Sequence, residues 1–209
     1  MIHTYLFNHP ELVTESQFQQ SLAHVSLQRR AKALSFRFLI DRVLSVQAYL
    51  LLCRGLREVY GIYDLPEFTF VGHDKPVIVG HPEIFFNLSH CRRGIMCAIS
   101  DRPVGVDIEE IETTLDTHLI DYCFNGTERQ DILSAPDPCI RFTRWWTRKE
   151  AYLKLTGEGL TDTLPSLFSP ALLQQIRFDS YECPEQGYVY TIAQFTDHPS
   201  DQKPIVSIV

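Results

Sequence analysis

Between residues 36 and 56 the apolar side chains Phe36, Leu39, Ile40, Val43, Leu44, Val46, Leu50 and Leu51 recur at helical spacing with no proline among them. A long core helix is expected there. Beyond Gly61 and Pro66 the period changes, and short strand-like runs follow at 68–71, 76–79, 85–88, 95–99 and 104–108, separated by Gly, Pro, His and Asp turns. The plan then repeats. Helical segments at 115–123, 128–133 and 141–155 lead to strand-like runs at 175–181, 188–195 and 204–209. A chain that passes twice from helical to strand period is expected to be α+β, with two similar halves, 1–102 and 103–209, joined near Asp101–Pro103. The first half also opens with a strand at 2–7 and a helix start at Thr14-Glu15-Ser16-Gln17, which has the capping-box pattern.

Composition excludes several classes. With 44% hydrophobic and 22% charged residues the 209-residue chain can bury a core without metal or disulfide help, which rules out a disordered or collagen-like polymer. No apolar run approaches the roughly 18 residues of a membrane span, and the first residues lack the cationic and apolar blocks of a secretion signal. A cytoplasmic protein with no membrane association is expected. Six cysteines lie scattered without a CxxC pair, so neither a disulfide framework nor a zinc cluster is expected. The net charge of −7 argues against nonspecific binding to nucleic acid. Two local basic clusters stand against that background: Arg29, Arg30, Lys32, Arg37 and Arg42, then Arg141, Arg144, Arg148, Lys149 and Lys154. Each is either a solvated helix face or part of a site for a specific polyanion.

Three segments could carry chemistry. In Val104-Gly105-Val106-Asp107-Ile108-Glu109-Glu110-Ile111 a strand period puts Asp107 and Glu109 on one face. Their repulsion is relieved either by water at a strand end or by a hard cation such as Mg²⁺. In Arg141–Lys154, a helix would place Glu150 and Lys154 four residues apart on one face, with Lys149 beside Glu150; this is either a surface ion pair or a third metal ligand with counter-charges for phosphate. In Phe85-Phe86-Asn87-Leu88-Ser89-His90 an apolar strand ends in polar groups, where His90 is either a structural histidine or a ligand-binding one and Ser89 either a turn cap or a ligand-binding group.

Lys75-Pro76, Phe86-Asn87-Leu88-Ser89-His90, Val104-Gly105-Val106-Asp107 with Glu109, and Trp146-Thr147-Arg148-Lys149-Glu150-Ala151-Tyr152-Leu153-Lys154, closed by Gly157-Glu158-Gly159-Leu160, resemble in order and spacing the motifs of Sfp-type 4′-phosphopantetheinyl transferases. Two positions depart from common family forms. Cys91 stands where a second serine often follows the histidine, and Thr147 occupies a usually smaller position.

The resemblance implies two halves related by a pseudo-twofold axis, with coenzyme A and Mg²⁺ in the cleft between them. It further implies transfer of phosphopantetheine to a serine of an apo acyl or peptidyl carrier protein, with release of 3′,5′-ADP, by a monomer. Asp107, Glu109 and Glu150 would hold the metal, and Lys154 with Lys149 would neutralise the pyrophosphate. Ser89 and His90 would bind coenzyme A phosphates, and Lys75 and Pro76 would line its adenine and ribose end. Glu150 is the first candidate for general base, a metal-bound water oriented by Glu109 the second. The arginines at 29–42 would meet the 3′-phosphate or the carrier, and Arg92-Arg93 would help dock an acidic carrier. Two other readings use the same residues: a Mg²⁺-dependent phosphohydrolase, and a nucleotide- or carrier-binding module without turnover.

Overall fold

The computed structural model describes residues 1–72, 75–159, 164–196 and 204–209. Its strands are β1 (Ile2–Asn8), β2 (Phe68–Val71), β3 (Lys75–Ile78), β4 (Phe85–His90), β5 (Gly94–Ser100), β6 (Gly105–Glu110), β7 (Ile176–Cys183), β8 (Tyr188–Phe195) and β9 (Ile205–Ile208). The helices are α1 (Glu15–Ser21), α2 (Leu27–Ser35), α3 (Leu39–Tyr60), α4 (Thr117–Cys123), α5 (Gly126–Leu133), α6 (Pro138–Thr156) and α7 (Pro170–Gln175). The chain is therefore α+β. Local chemistry sets the boundaries of several elements. Thr14 and Gln17 form the reciprocal capping box that opens α1. Gly61 ends α3 at φ 67°, a left-handed conformation for which glycine is suited.

One sheet runs β4-β5-β1-β9 and a second runs β6-β8-β7, with β2-β3 a separate hairpin. In the first sheet β4 and β1 flank β5 antiparallel, and α3 packs across it, burying Leu52, Leu56, Ile95 and Ile99. In the second, β8 lies antiparallel between β6 and β7, and α6 covers it, with Ala151, Leu155 and Ala193 in a shared core. A further cluster draws Leu6 and Met96 from the first sheet against Val106, Ile108 and Ile192 from the second, so apolar packing welds the sheets together.

Two expectations are corrected. The helix expected at 36–56 is α3 alone: Phe36 and Phe38 are extended, separating it from α2, and Arg42 Nε donates to the Phe36 carbonyl at 2.9 Å. The division at 102/103 also fails for the last strand, because β9 returns to pair parallel with β1, where Thr4 Oγ1 donates to the Ile205 carbonyl at 2.9 Å. The unpaired edge of β1 supplies the hydrogen-bonding groups that this strand needs.

Gly105 fixes how the site is assembled. Strand β6 crosses α6 so closely that a β-carbon on Gly105 would overlap the Ala151 carbonyl oxygen and crowd the Leu155 amide. This approach brings Asp107, two residues along the strand, against the turn of α6 that carries Glu150 and Lys154.

Candidate active site

Three elements meet at Ser89. Its hydroxyl donates to Asp107 Oδ1 at 2.8 Å and accepts from Lys154 Nζ at 3.0 Å and from the Ile108 amide at 3.3 Å. That fills the hydroxyl's one donor and two acceptor positions. Lys154 Nζ also reaches Asp107 Oδ1 at 2.6 Å, so β4 of the first sheet, β6 of the second and α6 are tied at one point. Asn87 strengthens the junction by accepting from the Val106 amide at 2.9 Å. Asp107 is 1% exposed, and its other oxygen, Oδ2, is buried with no hydrogen-bond partner among the described residues.

Two more carboxyls face this point. Removal from water pushes Glu109 up to about 7; the charges of Asp107 and Glu150 act in the same direction, against Lys154 and a hydrogen bond from Trp146. Burial likewise raises Glu150, reinforced by Asp107 and opposed by Lys154. Among the described residues no three His, Cys, Asp or Glu side chains are gathered closely enough to enclose an ion. Asp107, Glu109 and Glu150 are thus electrostatic neighbours, not a closed ligand cage. Their chemistry nevertheless fits a hard divalent cation: carboxylate oxygens, mutual repulsion, and one buried oxygen lacking a donor.

Beside the carboxyls lies a cavity of about 450 Å³, lined by Arg29, Lys32, Ser45, His90, Glu109 and Lys154 among others. Arg29 is held 5.1 Å from the Tyr49 ring and donates to Ser45 Oγ at 3.4 Å; burial lowers its pKa. Burial also lowers His90, chiefly, with the Lys154 charge assisting, which favours a neutral imidazole at pH 7. Of the first basic cluster, Arg29 and Lys32 reach this cavity. Arg30 is spent on the Leu22 carbonyl and Arg42 on that of Phe36. Helical spacing from the Ser26 N-cap would have placed Arg29 and Lys32 on one face, but the break at Phe36 concealed that α2 is a separate helix. A second, mainly apolar cavity of about 400 Å³ opens between the sheets, lined by Lys75, Pro76, Phe86, Pro103, Leu155 and Phe195 among others.

Not every expected residue joins these cavities. Lys149 is a correction: its side chain is 0% exposed, and its ammonium bonds Glu128 Oε2 at 2.9 Å and the Leu164 carbonyl at 2.7 Å. The rings of Phe124 and Phe168 enclose it at 5.3 and 5.1 Å. It therefore points into the core of the second half and lines neither cavity described above. Glu128, its partner, was visible in sequence only as the distal residue of a capping box from Asn125. The methylene stem of Lys75 lines the apolar cavity, while its ammonium donates to the Lys154 and Leu155 carbonyls, both at 3.0 Å. Arg93 is engaged by Glu11 at 2.9 Å and Glu110 at 3.4 Å, and with Arg92 it lines a hollow that also holds Glu112. Three acids against two arginines do not make a positive docking face, a second correction. Leu160 lies outside the described residues.

Residues 103–193 match the family model of the 4′-phosphopantetheinyl transferase superfamily. The chain is similar to the 4′-phosphopantetheinyl transferase psf-1 of Bacillus pumilus, 35% identical over 84% of this chain and 78% of that protein. It is also similar to 4′-phosphopantetheinyl transferase HetI of Nostoc sp., 33% identical over 70% of this chain and 65% of the relative. A third relative, 4′-phosphopantetheinyl transferase Sfp of Bacillus subtilis strain 168, is 33% identical over 51% of this chain and 48% of its own length.

Proposed function

The chain belongs to the Sfp-type 4′-phosphopantetheinyl transferases, enzymes that transfer phosphopantetheine from coenzyme A to carrier proteins, and on that premise we propose how its own residues perform the transfer. The observation that carries the proposal is Asp107, whose one oxygen is tied to Lys154 and Ser89 and whose other is buried without a partner among the described residues, beside two carboxyls raised by burial. Asp107, Glu109 and Glu150 would hold Mg²⁺. Bound there, the ion supplies charge neutralisation for the pyrophosphate.

The carrier serine Oγ forms a bond to the β-phosphorus of coenzyme A; the phosphoanhydride bond breaks, and its electron pair leaves with 3′,5′-ADP. Glu150, on the turn of α6 brought against Asp107 by the close approach at Gly105, takes the serine proton as general base. Lys154, released from Asp107, neutralises pyrophosphate oxygens as negative charge moves to the leaving group. Ser89, its hydroxyl turned away from Asp107, and the neutral His90 donate hydrogen bonds to coenzyme phosphate, Arg29 and Lys32 meet the 3′-phosphate, and the Lys75 stem with Pro76 packs on the adenine and ribose. The two halves, related by a pseudo-twofold axis, contribute opposite walls of this cleft. No helix among the described residues is long and apolar enough to cross a membrane. The enzyme is read as a cytoplasmic monomer that uses no nucleic acid.

The test is kinetic. Asp107→Ala should lower kcat at least about a hundredfold, as expected for a lost ligand in a metal-assisted step. His90→Ala should instead raise the KM for coenzyme A with a smaller change in kcat. Near-parental transfer by folded Asp107→Ala, or an unchanged KM in His90→Ala, contradicts the assignment.

A further inference from the structure

Helix α6 ends with carbonyls that cannot all be satisfied within the helix, because the last four have no intrahelical donor. Gly157, at φ 79°, turns its amide back to the Leu153 carbonyl at 2.8 Å, which also accepts from Thr156 Oγ1 at 3.3 Å. The next two carbonyls, of Lys154 and Leu155, are met from the other half of the molecule: Lys75 Nζ on β3 donates to both at 3.0 Å. A cation suits this position, since the C-terminus of a helix carries partial negative charge. The fit is close, for a β-carbon on Gly157 would lie 3.5 Å from Lys75 Cδ. One residue thus joins the first half to the helix turn whose own side chain, Lys154, enters the active site at Ser89 and Asp107.

We propose that the Lys75 ammonium is a positioning residue, a latch between the halves that holds the last turn of α6 so that Lys154 meets the pyrophosphate in register. The proposal rests on the role of Lys154 given above, and it separates two parts of one side chain. The stem of Lys75 forms cavity wall; the ammonium works through Lys154.

The experiment is a double-mutant cycle with an apo carrier protein and coenzyme A. Lys75→Met keeps the stem and removes the donor, so kcat should fall about tenfold while the KM for coenzyme A stays within about twofold, the signature of lost transition-state positioning. Lys75→Arg, which restores a cation at the helix end, should recover most of the loss. In a Lys154→Ala background Lys75→Met should cost no more than about twofold in kcat, because residues acting through one another are non-additive. A raised KM for coenzyme A with kcat kept, or full multiplication of the two losses, overturns the latch and leaves the role of Lys154 standing. Parental transfer by Lys154→Ala overturns both.

Discussion

Replacing Lys149 by Met probes what the lysine beside Glu150 does. Its ammonium lies 2.9 Å from Glu128 Oε2, and the two side chains are 0% and 4% exposed. Methionine matches the length of the stem but leaves the Glu128 carboxylate and the Leu164 carbonyl buried without their donor. Breaking a buried pair from one side costs about 3–5 kcal/mol, because the surviving charge is uncompensated. In a chain of this size each kcal/mol moves Tm by about 2–4 °C, so a fall of about 6–20 °C is expected by scanning calorimetry. Adding Glu128→Gln should recover part of the loss, since the amide oxygen can still accept from the Asn125 amide while the charge is gone. The folded Lys149→Met protein should keep its KM for coenzyme A. A Tm within about 2 °C of the parent, or no recovery in the double variant, would refute the buried-charge account. An increased KM with unchanged Tm would return Lys149 to the phosphate site.

Two other perturbations follow from the geometry. Gly105→Ala should push β6 away from α6 and misplace Asp107 against Glu150 and Lys154; displacements of order 1 Å can cost about a hundredfold in kcat. Parental kcat in a variant with unchanged circular dichroism would contradict that close approach. Glu109 has a folded pKa raised from 4.5 to about 7, so the folded state holds its proton more tightly than the unfolded chain. Its contribution to stability is therefore full below pH 4.5 and lost as pH rises through about 7. His90, whose pKa is lowered, acts with the opposite sign. The test is consequently the difference between the parent and Glu109→Gln, both free of divalent metal: from pH 5 to 7.5 the parent should lose more Tm than the variant, and equal slopes would refute the shift.

Much of the site was legible because it depends on local periods. Period two put Asp107 and Glu109 on one strand face, and the four-residue interval put Glu150 and Lys154 on one helix face. The same geometry explains the error at Lys149. It lies five residues before Lys154, about 140° around the helix, and thus on a different face; which face meets the cleft is decided by the crossing at Gly105, a contact between elements that no local period encodes. The return of β9 was hidden for the same reason. Four residues of strand-like sequence carry no label for the edge they will join, and Ile205–Ile208 pairs with β1, some two hundred positions earlier in the chain. The break between α2 and α3 misled differently, since Phe36 extends the apolar pattern of α3 while standing outside it.

The most direct measurement follows the fate of coenzyme A. The parent enzyme with Mg²⁺ and coenzyme A, with and without an apo carrier protein, is sampled for 3′,5′-ADP by chromatography and for the carrier's intact mass. Phosphopantetheine transfer predicts equimolar gain of the group on the carrier and release of 3′,5′-ADP, neither occurring without carrier, and both lost in Asp107→Ala. Release of 3′,5′-ADP without carrier would mark water as the acceptor and make the site a phosphohydrolase, contradicting the account.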